Sequence, residues 1–280
     1  MNNPFNYNID ELKKTANIIR QDLIKMLVEA GSGHTAGPLG MADIFTAFYF
    51  NLLRYDTKDI ENPNRDRLIL SNGHICPIRY TAMAHAGFFE IEELKTFRKF
   101  NTRLEGHPSI HSLPGLETSS GPLGEGLSLS SGIALASRMR GEENDYNIFC
   151  LMSDAEQEEG MTWEAAMFAS KYKLSNLIGI IDYNNIQIDG KVEDVMPLEP
   201  IVDKYKAFNW SVMEMNGNDM EDILNTINKA IEVKNKPTMI IARNTPGKGV
   251  SMFENNYKWH GITPNKEQGN NALRELQHNA

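Results

Sequence analysis

Five short apolar runs, each bounded by turn-forming residues, alternate with stretches of helical spacing, and this alternation limits the possible folds more than any other feature. The runs are RLIL at 67–70, NIFCLM at 147–152, NLIGIID at 176–182, WSVMEM at 210–215 and TMIIA at 238–242. Helix-like segments at about 160–173, 199–208 and 219–234 separate the last four. Runs this short read as strands, and strands separated by a helix pair in parallel through crossover connections. The pattern predicts an α/β fold in which a mainly parallel sheet carries helices on both faces. No repeat or long linker divides residues 1–280, so a single domain is expected.

Ahead of the first run, Leu12, Ala16, Ile19, Leu23 and Leu27 have the spacing of an amphipathic helix over residues 10–30. Asp10 is its expected N-cap and Gly31 its end. A glycine-rich loop, GSGHTAGPLG, leads into a second helical pattern from about Met41 to Leu53. The stretch 101–123 reads as a long loop, and structureless loops of that size are usually functional.

Lys and Arg total 28 against 37 Asp and Glu, a net charge of −9, so the totals show no basic footprint for nucleic acid or an anionic membrane. Cys76 and Cys150 lie far apart and outside any CxxC pattern, which argues against structural zinc and fits a reducing compartment. The N-terminus MNNPFNYNID has no apolar region, and no aliphatic stretch approaches the ~20 residues of a membrane span. A cytoplasmic protein is expected.

The chemistry concentrates where two of the runs end. CLMSDAEQEEG leaves an apolar run at Ser153 and Asp154, and thirty residues after Asp154 the next run ends in IIDYNNIQIDG, presenting Asn184 and Asn185. Open α/β sheets bind ligands beyond the carboxyl ends of their strands. A carboxylate and an amide oxygen at neighbouring strand ends suit a hard divalent cation, which takes oxygen ligands and leaves positions for phosphate and water. The same residues also suit a helix cap and a turn, so spacing alone leaves both readings open.

SDAEQEEG followed after about thirty residues by NN resembles the thiamine diphosphate motif. GSGHTAGPLG, SNGH at 71–74, GHP at 106–108, LPGLETSSGPLGEGLS, YNNIQIDG and WHG at 259–261 resemble, in the same order, the N-terminal half of transketolases. Ser153 and Ala155 stand where the motif commonly has glycine, which adds bulk beside the expected diphosphate.

The resemblance implies thiamine diphosphate and Mg²⁺ (or Ca²⁺ or Mn²⁺), with the metal on Asp154, Asn184 and the carbonyl of Ile186. It places Ala155 and Gly121 at the cofactor, with a helix from near Gly124 turning its positive end toward anionic groups. Leu123 and Ile188 would flank the thiamine rings or serve as ordinary core. His34 and His107 would face the ketose hydroxyls and reacting oxygen, and His74 and His260 the diphosphate and reaction centre. Glu159 would join a carboxylate network linking two cofactor sites, or be a favourable charge in a first helical turn. Lys248 would touch the diphosphate or be a solvated loop lysine. His85 and His278 match no motif, and His111 stays undecided.

A full-length transketolase is over twice this long. The resemblance therefore implies the N-terminal subunit of a split enzyme, completed by a separate C-terminal subunit carrying the pyrimidine-binding half, in a dimer of heterodimers. The implied activity moves a two-carbon ketol unit from a ketose, expected to be phosphorylated, to an aldose. Alternatives are a subunit of a pyruvate-acting thiamine diphosphate enzyme and a non-catalytic cofactor-binding subunit. GPLGEG lacks the strand-first GxGxxG context of nicotinamide sites, and GKGV lacks the Walker A spacing.

Overall fold

The computed structural model describes residues 1–142 and 146–278. It contains β1 (Arg67–Leu70), β2 (Ile148–Ser153), β3 (Leu177–Tyr183), β4 (Ile186–Gln187), β5 (Gly190–Lys191), β6 (Ser211–Asn216) and β7 (Thr238–Arg243). Five of these form one sheet in the order β1-β2-β3-β7-β6, every pair parallel. The other two, β4 and β5, form a small antiparallel hairpin just past the end of β3.

Each of the five apolar runs is a strand, within one residue of its expected bounds. The reason is visible in β2, where successive side chains enter opposite cores. Phe149 and Leu151 join one, and Ile148, Cys150 and Met152 join the other. A strand buried on both faces has no polar side to alternate with, hence the unbroken apolar run.

The first core is covered by α1 (Ile9–Ala30), α2 (Ala36–Gly40), α3 (Ala42–Ala47) and α4 (Cys76–His85), and the second by α5 (Glu125–Met139) and α6 (Gly160–Lys171). A one-turn α7 (Val192–Val195) follows the hairpin. Then α8 (Ile201–Ala207) returns to the second core, while α9 (Met220–Ile231) and α10 (Lys266–His278) complete the first.

Two local expectations are corrected. The N-cap of α1 is Asn8, not Asp10. Asn8 accepts from the backbone N–H of Asp10 and Glu11, and Glu11 accepts in return from the Asn8 N–H at 2.8 Å. This reciprocal box is set by the Glu three residues on, and it places Asp10 inside the first turn. The helical pattern from Met41 to Leu53 is also not one helix: α3 is followed by a turn of π-helix at Phe48–Leu52. Residues 36–50 are buried throughout, so packing on several sides, and not one amphipathic face, shapes this stretch. Residues 101–123 contain neither helix nor strand, as expected. Among the described residues no helix is long and apolar enough to cross a membrane.

Candidate active site

Parallel strands bring their carboxyl ends to one edge. Ser71 follows β1, Asp154 follows β2 and Asn184 follows β3. Asp154 is 1 % exposed. Its carboxylate accepts from the backbone N–H of Ala155 at 2.8 Å and of Asn185 at 2.5 Å, so the tips of β2 and β3 are tied together. Burial, reinforced by the nearby Asp182 charge, pushes its pKa up to about 7.

Asp182 is as deeply buried and accepts from Asn184 Nδ2 at 2.7 Å and Asn244 Nδ2 at 2.6 Å. Burial raises it to about 6. With Nδ2 held there, Asn184 has a fixed amide plane, and its Oδ1 accepts from Ile186 N–H at 3.0 Å. Carboxyl groups buried side by side are stabilised by a proton or by a metal cation.

Over these tips lies a cavity of about 560 Å³. Asp154, Ala155, Asn184, Ile186 and Ile188 line it from the sheet edge, and Gly121 and Leu123 from the long loop. His34, His74, His107 and His260 line the remainder. The rings of His34, His74 and His260 form a triangle with centroid separations of 4.9, 5.3 and 5.5 Å.

Burial lowers the pKa of all four histidines. His34, which also faces His260, Arg98 and His107, falls to about 4. A neutral imidazole offers one donor and one acceptor, so the cluster can both bind hydroxyls and pass protons.

Eleven of the thirteen residues singled out in the sequence thus surround one space. Glu159 and Lys248 do not line it. Glu159 is exposed at the start of α6, where its side chain makes no capping bond, and Lys248 lies 3.9 Å from Glu254. Leu123 is half-buried and Ile188 is 69 % exposed, so neither is a core residue. His85 bonds Asp22 at 2.8 Å, and His111 and His278 are exposed.

The start of α5 meets an anionic group of the chain itself, the Glu156 carboxylate. Gly124 precedes it at φ +86°, a left-handed conformation suited to glycine. Its N–H donates to Glu156 Oε1 at 2.6 Å, and Gly126 N–H donates to Ser71 Oγ at 3.0 Å. Glu156, fully buried, also accepts from Ser153 N–H and from the Ser71 hydroxyl. This carboxylate joins the ends of β1 and β2 to the start of α5, and burial raises its pKa to about 6. Ser153 to Glu156 has the S-x-x-E spacing of a capping box, the signal that distinguishes it from Glu158 and Glu159.

Several buried polar atoms have no partner among the described residues: His34 Nδ1, His260 Nδ1 and Ser153 Oγ on residues that line the cavity, and Ser120 Oγ and both polar atoms of the Asn72 side chain one and two residues before the lining Gly121 and His74. Buried polar groups in native proteins are nearly always paired, so the cluster fits a polar ligand.

Comparison with known proteins decides which kind. Residues 11–278 match the transketolase, thiamine diphosphate binding domain family. The chain belongs to that family. It is similar to an apulose-4-phosphate transketolase subunit of Phocaeicola vulgatus, 41 % identical over 92 % of this chain and 90 % of that one. It is also similar to the 6-deoxy-6-sulfo-D-fructose transketolase subunit SqwG of a Clostridium species, 37 % identical over 95 % and 96 %. The crystal structure of transketolase from Campylobacter jejuni superposes with a TM-score of 0.90 at 34 % identity, covering 97 % of this chain but 43 % of that one. The chain thus spans less than half the length of the single-chain enzyme and nearly all of each of the two separate subunits.

Among the described residues, no group of three His, Cys, Asp or Glu side chains could hold a metal. A cation at these tips would instead need one carboxylate, one amide oxygen and a carbonyl, a donor set that suits Mg²⁺.

Proposed function

We propose that this chain is the cofactor-diphosphate-binding subunit of a split transketolase, joined to a separate subunit that carries the pyrimidine-binding half. The observation behind this reading is the convergence of Asp154, Asn184 and four neutral histidines on one cavity. Mg²⁺ would sit on Asp154 Oδ, Asn184 Oδ1 and the Ile186 carbonyl, with thiamine diphosphate alongside. Ala155 and Gly121 would approach the diphosphate, and Leu123 and Ile188 would cover the rings. When bound, the cofactor supplies the carbanion chemistry needed to break and form a carbon–carbon bond.

The chain's own residues bind, orient and move protons. His34 Nδ1 and His260 Nδ1, each buried without a partner among the described residues, can exchange a proton with a hydroxyl or carbonyl oxygen in the cavity. His74 and His107 complete the polar wall. The substrates are a ketose donor and an aldose acceptor. The names of the two relatives support a sugar with an anionic terminus, phosphate or sulfonate.

Exposed apolar side chains support an assembly larger than one chain. Ile188 stands at the cavity, and Leu129, Met161, Met167 and Phe168 are exposed on α5 and α6, which pack together. We place the companion subunit over the cavity and a second copy of the pair against α5 and α6, giving a dimer of heterodimers. Glu159, beside Gly124 at the start of α6, lies on that same side. Cys76 and Cys150 are both free and buried, in keeping with a cytoplasmic site of action.

Mixing this chain with its companion, thiamine diphosphate and Mg²⁺ tests the reading. Transfer of a two-carbon unit from a ketose phosphate or sulfonate to an aldose, followed by mass spectrometry, is expected only from the pair. Transfer by this chain alone would overturn it. So would an inactive pair, or decarboxylation of pyruvate in place of ketol transfer.

A further inference from the structure

Arg98 has a role that its own stretch of chain does not explain. Its backbone is left-handed, at φ +58°, a conformation that side-chain-bearing residues seldom adopt, and its N–H donates to the Leu104 carbonyl at 2.9 Å. From there the side chain reaches two separate segments. Nη1 donates to Ser32 Oγ at 2.7 Å and Nη2 to the Gly106 carbonyl at 3.4 Å. The guanidinium lies 5.5 Å from the centre of the Phe97 ring.

Gly106 is shaped for this contact. A Cβ there would lie 2.8 Å from Arg98 Nε and 3.1 Å from Cζ, so a larger residue would displace the guanidinium. Ser32 is two residues before His34, and Gly106 immediately precedes His107. One planar cation therefore spans the two loops that carry these histidines, a fork geometry that lysine cannot reproduce.

We propose that Arg98 is a positioning residue that fixes His34 and His107 relative to each other across the cavity. This rests on the proposed function insofar as those imidazoles meet the sugar. It extends that reading to a residue that does not line the cavity and carries no motif. The charge of Arg98 adds to the effect of burial in keeping both rings neutral. His34 is also faced by His74, His260 and His107.

The test uses Arg98→Met, which keeps the stem without the charge, and Arg98→Lys, which keeps the charge without the fork. In the chain itself, NMR titration of the histidine rings reads the effect directly. Arg98→Met is expected to raise the midpoints of His34 and His107 by about half a pH unit or more while His85 and His278 stay put. Arg98→Lys should leave the midpoints near wild type but displace the ring signals of both residues.

In the assembled enzyme, both variants should lower kcat about 10- to 100-fold with cofactor affinity unchanged within twofold, and only Arg98→Met should move the acid limb of the pH profile upward. Should Arg98→Met fail to fold, Ser32→Ala removes one anchor and should act in the same direction, more weakly. Unmoved His34 and His107 signals, or a loss of activity matched by an equal loss of cofactor affinity, would overturn the proposal. If the wild-type pair shows no ketol transfer, the functional reading fails while the titration still decides the role of Arg98.

Discussion

The two ends of the sheet treat a buried carboxylate in opposite ways. At the amino end, Asp66 is 4 % exposed and accepts from Arg54 Nη2 at 2.7 Å, from Arg54 N–H at 2.9 Å and from Asn147 N–H at 2.8 Å. Its charge is matched by a cation that the fold supplies. At the carboxyl end, Asp154 and Asp182 are equally buried but are bonded by amides, and their pKa values rise to about 7 and 6. Amide donors satisfy lone pairs without neutralising the charge. The amino end is therefore balanced within the fold, and the carboxyl end keeps buried acids that no cation among the described residues matches.

Exchanging carboxylate for amide at each end sharpens the contrast, and this is where the largest effects are expected. Asp154→Asn should cut ketol transfer by the assembled enzyme about 10³-fold or more and abolish Mg²⁺-dependent cofactor binding. It should leave the stability of the chain unchanged or higher, because an uncompensated buried charge is removed. Asp66→Asn should destabilise the chain by about 2–3 kcal/mol, less than a fully buried pair because the Arg54 side chain is partly solvated. Its activity per folded molecule should survive. Urea denaturation and calorimetric cofactor titration separate the two quantities. Similar profiles for both variants would break the comparison.

This division explains what was legible in the sequence. The strands could be read because burial on both faces leaves a mark on every residue from Ile148 to Met152. The cavity-lining histidines could be read because each sits in a short motif of a known family. Glu156 stood among three neighbouring acids with the S-x-x-E spacing from Ser153 as its one local signal, and the meeting of β1, β2 and α5 shows that it points inward. Asp182 was hidden in a different way, as the polar end of an apolar run whose partner Asn244 lies 62 residues away. Pairings between distant segments leave no periodicity, and they are what set the electrostatics of this site.

Ser153 offers a finer test of the carboxyl end. Its N–H is taken by Glu156 and its carbonyl by Gln157 Nε2 at 3.0 Å, which leaves the buried hydroxyl as its one polar group without a partner among the described residues. Two effects compete. The added Cβ crowds the diphosphate, whereas a hydroxyl donor to a phosphate oxygen would hold it. We expect the hydroxyl to win, so Ser153→Ala and Ser153→Gly should each weaken cofactor binding about 5-fold. Tighter binding by the glycine variant would show that bulk decides.

A last contrast lies in the pH dependence of stability, where the sign distinguishes a cavity histidine from the buried acids at the same end of the sheet. His34 titrates near 6.5 in an unfolded chain and near 4 in the fold. Between those values the unfolded state binds more protons, so His34 makes the fold less stable as pH falls from 6.5 toward 4. Asp154, Glu156 and Asp182 work in the opposite direction: their folded pKa values are raised, the native state holds more protons, and stability is lost as pH rises toward 6 or 7. The wild-type curve alone therefore mixes two opposed slopes. Subtracting the curve of His34→Asn isolates one of them. Between pH 4 and 6.5 the stability of the variant should rise less steeply with pH than that of the wild type, by up to about 1.4 kcal/mol per pH unit. Parallel curves in urea melts would show that His34 is not held neutral by its surroundings, and the chemical difference between the two ends of the sheet would then rest on the carboxylates alone.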